Sequence, residues 1–160
     1  MHRQYNKGLG VIEVIIGTAI FVIVIGVVSN MYARFTDAVM DNTEKLQATM
    51  LVEEGGEVVR ILRDNGWDNF IGGFELGSLY YYSFAGSDWS VSTTTPSAYI
   101  DGVFLRSVIF DSVYRDGNDV IATSGTLDPD SRKATVNVSW QNGSGTTTQT
   151  QIMYISKLFD

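Results

Sequence analysis

Residues 9–28 read LGVIEVIIGTAIFVIVIGVV, twenty positions in which Glu13 is the only charge. At about 1.5 Å per residue, a helix of that length crosses the roughly 30 Å hydrocarbon core of a bilayer. Only a helix satisfies its own backbone there, because lipid offers no partner to a free N–H or C=O. The segment is therefore expected to be a single transmembrane helix. His2, Arg3 and Lys7 precede it without any acid, so the positive-inside bias puts the N-terminus in the cytoplasm and the rest of the chain outside. A secretory signal peptide would have a shorter apolar stretch ending in a small-x-small cleavage site, and SNMYARF after Val28 is a poor version of one.

The chain is bipartite. Its continuous apolar sequence lies before Asn30, and the remainder is rich in Ser, Thr, Asp, Asn and Gly. A length of 160 residues allows one domain plus an anchor. With no cysteine, an exported head is held by packing and sheet hydrogen bonds alone, and neither a disulfide framework nor a Cys-based metal site is available. The net charge is −7 and the 11 basic residues are scattered, which argues against general nucleic-acid binding, since phosphate neutralisation needs clustered Lys and Arg.

Glu13 is the anomaly in the membrane segment. A carboxylate there is costly, so it calls for a partner or a function unless it stays hydrated near the interface at the positive end of the helix dipole. Its surroundings read Lys7-Gly8-Leu9-Gly10-Val11-Ile12-Glu13: a basic residue and a Gly before the apolar run, with Glu as the fifth residue after that Gly. This resembles the prepilin processing motif of type IV pilins and type II secretion pseudopilins.

The resemblance implies that a membrane prepilin peptidase cuts between Gly8 and Leu9 and methylates the new amine of Leu9. Removal of the leader, residues 1–8, takes away Arg3 and Lys7 and no acid, leaving 9 basic against 18 acidic residues, net −9. It also implies that Glu13 pairs with the N-terminal amine of a neighbouring subunit during assembly, so that two charges buried among packed helices offset each other. The implied partners are other pilin subunits in a homo- or hetero-filament, an inner-membrane platform protein, an assembly ATPase and, before assembly, membrane lipid. The implied location is the bacterial cytoplasmic membrane, then a cell-surface pilus or periplasmic pseudopilus. Leu9 stands where Phe is most common and Gly10 where Thr or Ser is usual. The absence of proline between Met1 and Pro96 favours a minor pilin or pseudopilin over an abundant shaft subunit. The alternative is a single-pass anchored binding module that keeps its leader and never polymerises.

Residues 29–64 continue the helix as an amphipathic half, with Phe35, Val39, Leu46, Met50, Leu51, Val58, Val59, Ile61 and Leu62 at spacings compatible with one face. Gly55-Gly56 interrupts it, as a bend or, preferably, as a point of close contact with a sheet. Asp64-Asn65-Gly66 ends it.

Residues 65–160 form the expected β-rich head. One or two strands fit within residues 67–99, including Tyr80-Tyr81-Tyr82 with one buried face. Residues 103–114 are strand-like, Asp116-Gly117-Asn118-Asp119 turns, residues 120–123 return, and Asp128-Pro129-Asp130-Ser131 is expected to turn the chain into residues 134–140. There Val136, Val138 and Trp140 share a face opposite Thr135, Asn137 and Ser139. Gln141-Asn142-Gly143-Ser144-Gly145 reads as a hairpin turn into a strand over residues 146–159. The simplest arrangement is α+β, a meander sheet packed on the C-terminal half of the helix.

No enzyme chemistry is legible. His2 is the only histidine and lies in the leader, so the processed chain has no imidazole base and no His-rich metal site. No phosphate loop or dinucleotide fingerprint is present. The carboxylate pairs Asp128/Asp130 and Asp116/Asp119 are candidates for Ca²⁺, which takes oxygen ligands from flexible loops, although acidic turn residues are explained as readily by loop geometry. No cofactor is expected.

Overall fold

A computed structural model describes residues 7–143 and 145–158, and shows an α+β fold with a long N-terminal helix followed by an antiparallel sheet. Contacts divide the chain into two units, Met1–Thr43 and Glu44–Asp160.

Helix α1 runs without a break over Lys7–Asp64. In the first unit every residue from 10 to 43 is exposed. Polar side chains on this stretch turn back on the helix: Thr18 Oγ1 donates to the Val14 carbonyl at 2.9 Å, Asn30 Nδ2 to that of Gly26 at 2.8 Å and Thr36 Oγ1 to that of Tyr32 at 3.0 Å. Such bonds hide hydroxyl and amide groups that lipid could not satisfy.

In the second unit α1 packs on the sheet through Ala48, Val52, Gly55, Val59 and Leu62, spaced alternately four and three residues apart, so that they form one face. The sequence expectation of one apolar face needs correction here. Leu46 and Met50 are 58% and 59% exposed. At about 100° per residue they lie roughly 120–160° round the helix from Ala48 and Val52. The sheet contact uses small residues, Ala48 and Gly55, which a count of large apolar side chains passes over. The helix continues through Gly55-Gly56, which is the place of close approach. α1 ends as expected: Asn65 N–H donates to the Ile61 carbonyl at 2.9 Å, and Gly66 takes φ +136°.

A 3-10 turn, Ile71–Gly73, leads to Phe74, whose ring packs 4.6 Å from that of Tyr80 and 5.3 Å from that of Phe110. The sheet comprises β1 (Leu79–Ala85), β2 (Asp88–Ser92), β3 (Leu105–Arg115), β4 (Ile121–Ala122), β5 (Thr126–Asn142) and β6 (Gly145–Ser156). Its order is β2-β1-β3-β5-β6, with β4 beside the end of β3. The expected meander is not kept from β3 onward: β4 pairs with the end of β3 alone, and β5 pairs directly with β3 before β6 follows it. The β1–β2 hairpin departs from a meander by putting β2 at the outer edge and β1 against β3, through the pairs Leu79↔Ile109 and Tyr80↔Val108.

Asp128-Pro129-Asp130-Ser131 does not turn the chain; it lies inside β5. Pairing with β3 jumps from Ser112↔Arg132 to Val113↔Asp128, so residues 129–131 bulge from the ladder. Proline has no N–H to give a ladder, and a bulge is where a strand tolerates it. The expected last hairpin is present, with Asn142 paired to Gly145. Phe159, placed in the last strand by sequence, lies outside the described residues.

Alternation along the strands behaves as read. Val136, Val138 and Trp140 are buried toward α1 with Val108 and Phe110 of β3, and Tyr80 and Tyr82 are buried while Tyr81 is only partly so. Most of these side chains join Val58, Val59 and Leu62 in one core; Ala48, Val52, Phe104, Val138 and Trp140 form a second.

Candidate functional site

The first candidate site is the start of α1. The Gly8–Leu9 bond lies within the helix. The side chains of Lys7 and Leu9 and the whole of residues 1–6, including His2 and Arg3 of the expected leader, lie outside the described residues. Glu13 sits two turns into the helix. From Val14 to Ala33 no charged residue follows it, and Val14, Ile15, Ile16, Phe21, Val22 and Ile23 are 54–67% exposed. By length and composition this stretch of α1 can cross a membrane. Among the described residues nothing covers this apolar surface, and apolar surface of that extent is of the kind a lipid bilayer can cover.

Of the acidic pairs in the head, Asp116, Asp119 and Asp128 are engaged by Arg115 and by backbone N–H groups. Arg115 Nε donates to Asp128 Oδ2 at 2.6 Å and stands 3.5 Å from Asp119 Oδ1, and its Nη1 donates to the Asp119 carbonyl at 3.0 Å. Asp128 also accepts from the Asp130 N–H at 3.0 Å. Arg115, the Ser131 hydroxyl and that N–H hold the Asp128 carboxyl below its ordinary range. Asp116 accepts from the Val120 and Asn118 N–H groups, at 3.0 and 2.8 Å, and is likewise held low. Asp128 and Asp119 are thus gathered on a guanidinium, while Asp116 closes its own turn. Among the described residues no three His, Cys, Asp or Glu side chains come together as a metal-binding group.

Sequence reading missed Arg106. Its guanidinium is buried between α1 and the sheet, where Nη1 donates to Glu54 Oε2 at 2.8 Å and to the Leu51 carbonyl at 3.3 Å. The charge lies 4.8 Å from the Tyr82 ring centre and 5.2 Å from that of Trp89, within cation–π range of both. Tyr82 lies against it with a buried hydroxyl that has no hydrogen-bond partner among the described residues; burial pushes its pKa up, Arg106 opposes this and Glu54 adds to it. The signal was in the strand period: Arg106 is in phase with Val108 and Phe110, and a charge on the buried face of a strand demands a partner.

Beside this pair opens a cleft of about 300 Å³ lined in part by Glu54, Arg106, Phe84, Trp89, Tyr99 and Phe104. Its lining comes from Glu54 of α1 and from residues 82–106. No protein-family model, curated protein or solved structure matches the chain.

Proposed function

We propose that this chain is a prepilin-type subunit, anchored in the bacterial cytoplasmic membrane by residues 9–28 and assembled through that helix into a type IV pilus or related pseudopilus. The observation that carries the reading is the fully exposed helical stretch from residue 10 to 43, combined with Glu13 as the one charge in its membrane part and Gly8 five residues before it. Lipid covers the apolar surface before assembly, and neighbouring helices cover it afterwards.

In this reading prepilin peptidase hydrolyses the Gly8–Leu9 bond and the freed amine is methylated. Glu13 then meets the Leu9 amine of a neighbouring subunit. The pair offsets the desolvation of each charge and sets the axial register between helices. A platform protein and an assembly ATPase supply the machinery. The unbroken helix across residues where a shaft pilin often carries proline favours a minor pilin or pseudopilin.

Intact mass with N-terminal fragmentation of protein from native membrane and surface fractions tests this. A chain that starts at methylated Leu9 supports the reading. A retained leader would instead make the chain an anchored binding module, and a terminus after Val28 would make it a conventionally secreted protein.

A further inference from the structure

We propose that the cleft beside Arg106 is a binding site for a neutral saccharide of one or two pyranose rings. Its volume, about 300 Å³, is at the low end of small-molecule sites, so it suits a ring-sized ligand rather than a folded peptide.

Two properties of the lining choose the chemistry. The first is exposed aromatic surface. Phe84 is 60% and Tyr99 47% exposed, and the Phe84 ring packs 5.3 Å from that of Trp89. Large apolar side chains left open at a cleft mouth mark a contact surface, and aromatic faces suit the C–H face of a sugar ring. The second is a charge pair that is already neutral. Arg106 and Glu54 meet at 2.8 Å, so an anionic ligand would have to displace Glu54 and a cationic one Arg106. Neither group is used up. Among the described residues the hydrogen bonds of Arg106 all leave from Nη1, and the Glu54 side chain is 48% exposed with only Oε2 engaged. Together they offer a planar donor and a carboxylate acceptor side by side. A sugar hydroxyl both donates and accepts, and a pair of adjacent hydroxyls matches that edge while the ring lies on the aromatic wall.

The test uses the full chain in a detergent without a sugar headgroup. The probes are the methyl glycosides of glucose, galactose, mannose and N-acetylglucosamine, followed by saturation-transfer NMR and tryptophan fluorescence. At least one glycoside is expected to saturate at millimolar concentration or below. Tyr99→Ala and Phe84→Ala should each weaken it about tenfold with an unchanged melting temperature, a loss of roughly 1.4 kcal/mol. Ile152→Ala, at an exposed position on β6 that does not line the cleft, should leave binding unchanged. Failure of all four probes to saturate overturns the proposal. So does binding that ignores both aromatic variants, or that sodium acetate or tetramethylammonium competes away, which would mark a site for charged ligands.

Discussion

Gly55 of α1 stands directly against the hydroxyl of Tyr82: a β-carbon at residue 55 would overlap that oxygen and come within 2.7 Å of Val136 Cγ1. Helix and sheet meet backbone to side chain there, so the glycine is a packing requirement. Gly55→Ala is expected to destabilise the head by about 1–3 kcal/mol through overpacking, despite the higher helix propensity of Ala. Gly56 faces the far ends of the flexible Gln151 and Met153 side chains, with Gln151 Oε1 2.9 Å from the corresponding position, and Gly56→Ala should cost much less. Thermal melts of the two variants in detergent, read by near-UV circular dichroism, separate the cases.

Tyr82→Phe removes a buried hydroxyl with no hydrogen-bond partner among the described residues and should be neutral or stabilising by up to about 1 kcal/mol. It should also partly rescue Gly55→Ala, because the oxygen is the first atom the new methyl group meets.

The raised pKa of Tyr82 gives an alkaline signature. Below about pH 10 the phenol is protonated in both the folded and unfolded chain. Above that, the unfolded chain releases a proton that burial makes the folded chain keep, so stability falls as pH rises. Melting temperatures between pH 8 and 11, at roughly the ordinary tyrosine range, should decline less steeply in Tyr82→Phe than in the parent; parallel declines would show that Tyr82 is not the source.

Arg106 and Glu54 are unequally buried, with side chains 4% and 48% exposed. Glu54→Ala leaves a buried guanidinium without its counter-charge, whereas Arg106→Met leaves a carboxylate that water can reach. Glu54→Ala is therefore expected to be the more damaging change, by about 1–3 kcal/mol relative to Arg106→Met, in urea titrations of the full chain.

Asp128 contributes on the acid side. Its folded pKa lies below the ordinary carboxylate value near pH 4 because Arg115 and Ser131 bond to its ionised form. Its stabilisation is present above that pH and lost as pH falls through the depressed folded value. Asp128→Asn should lower the melting temperature at pH 7 and flatten the acid limb, as measured by melts from neutral to strongly acidic buffer.

Glu13→Ala tests assembly separately from folding. Glu13 lies in the first unit and is not among the core residues of the second. The variant is expected to retain the head's circular dichroism and melting temperature and to lose incorporation into sheared surface or periplasmic filaments. A normal filament yield would count heavily against the proposed role of Glu13.

The sequence alone determined the features that depend on local pattern. Twenty nearly uncharged residues require a helix in lipid, Asp64-Asn65-Gly66 ends it, and the alternation of Val136, Val138 and Trp140 assigns a buried face, because each is a property of neighbouring residues. The candidate processing motif is equally legible, since Gly8, Leu9 and Glu13 lie within a single short segment. Tertiary structure decided what depends on partners distant in the chain. Asp128-Pro129-Asp130-Ser131 reads locally as a turn, yet pairing with β3 and β6 draws it into β5 as a bulge. Leu46 and Met50 look like core by hydrophobicity, but Ala48 and Gly55 allow the sheet closer approach and so take the buried face. The cleft beside Arg106 joins residue 54 to residues 84–106, and no local pattern encodes that meeting; it arises because burying a charge on the sheet requires a carboxylate from the helix packed over it.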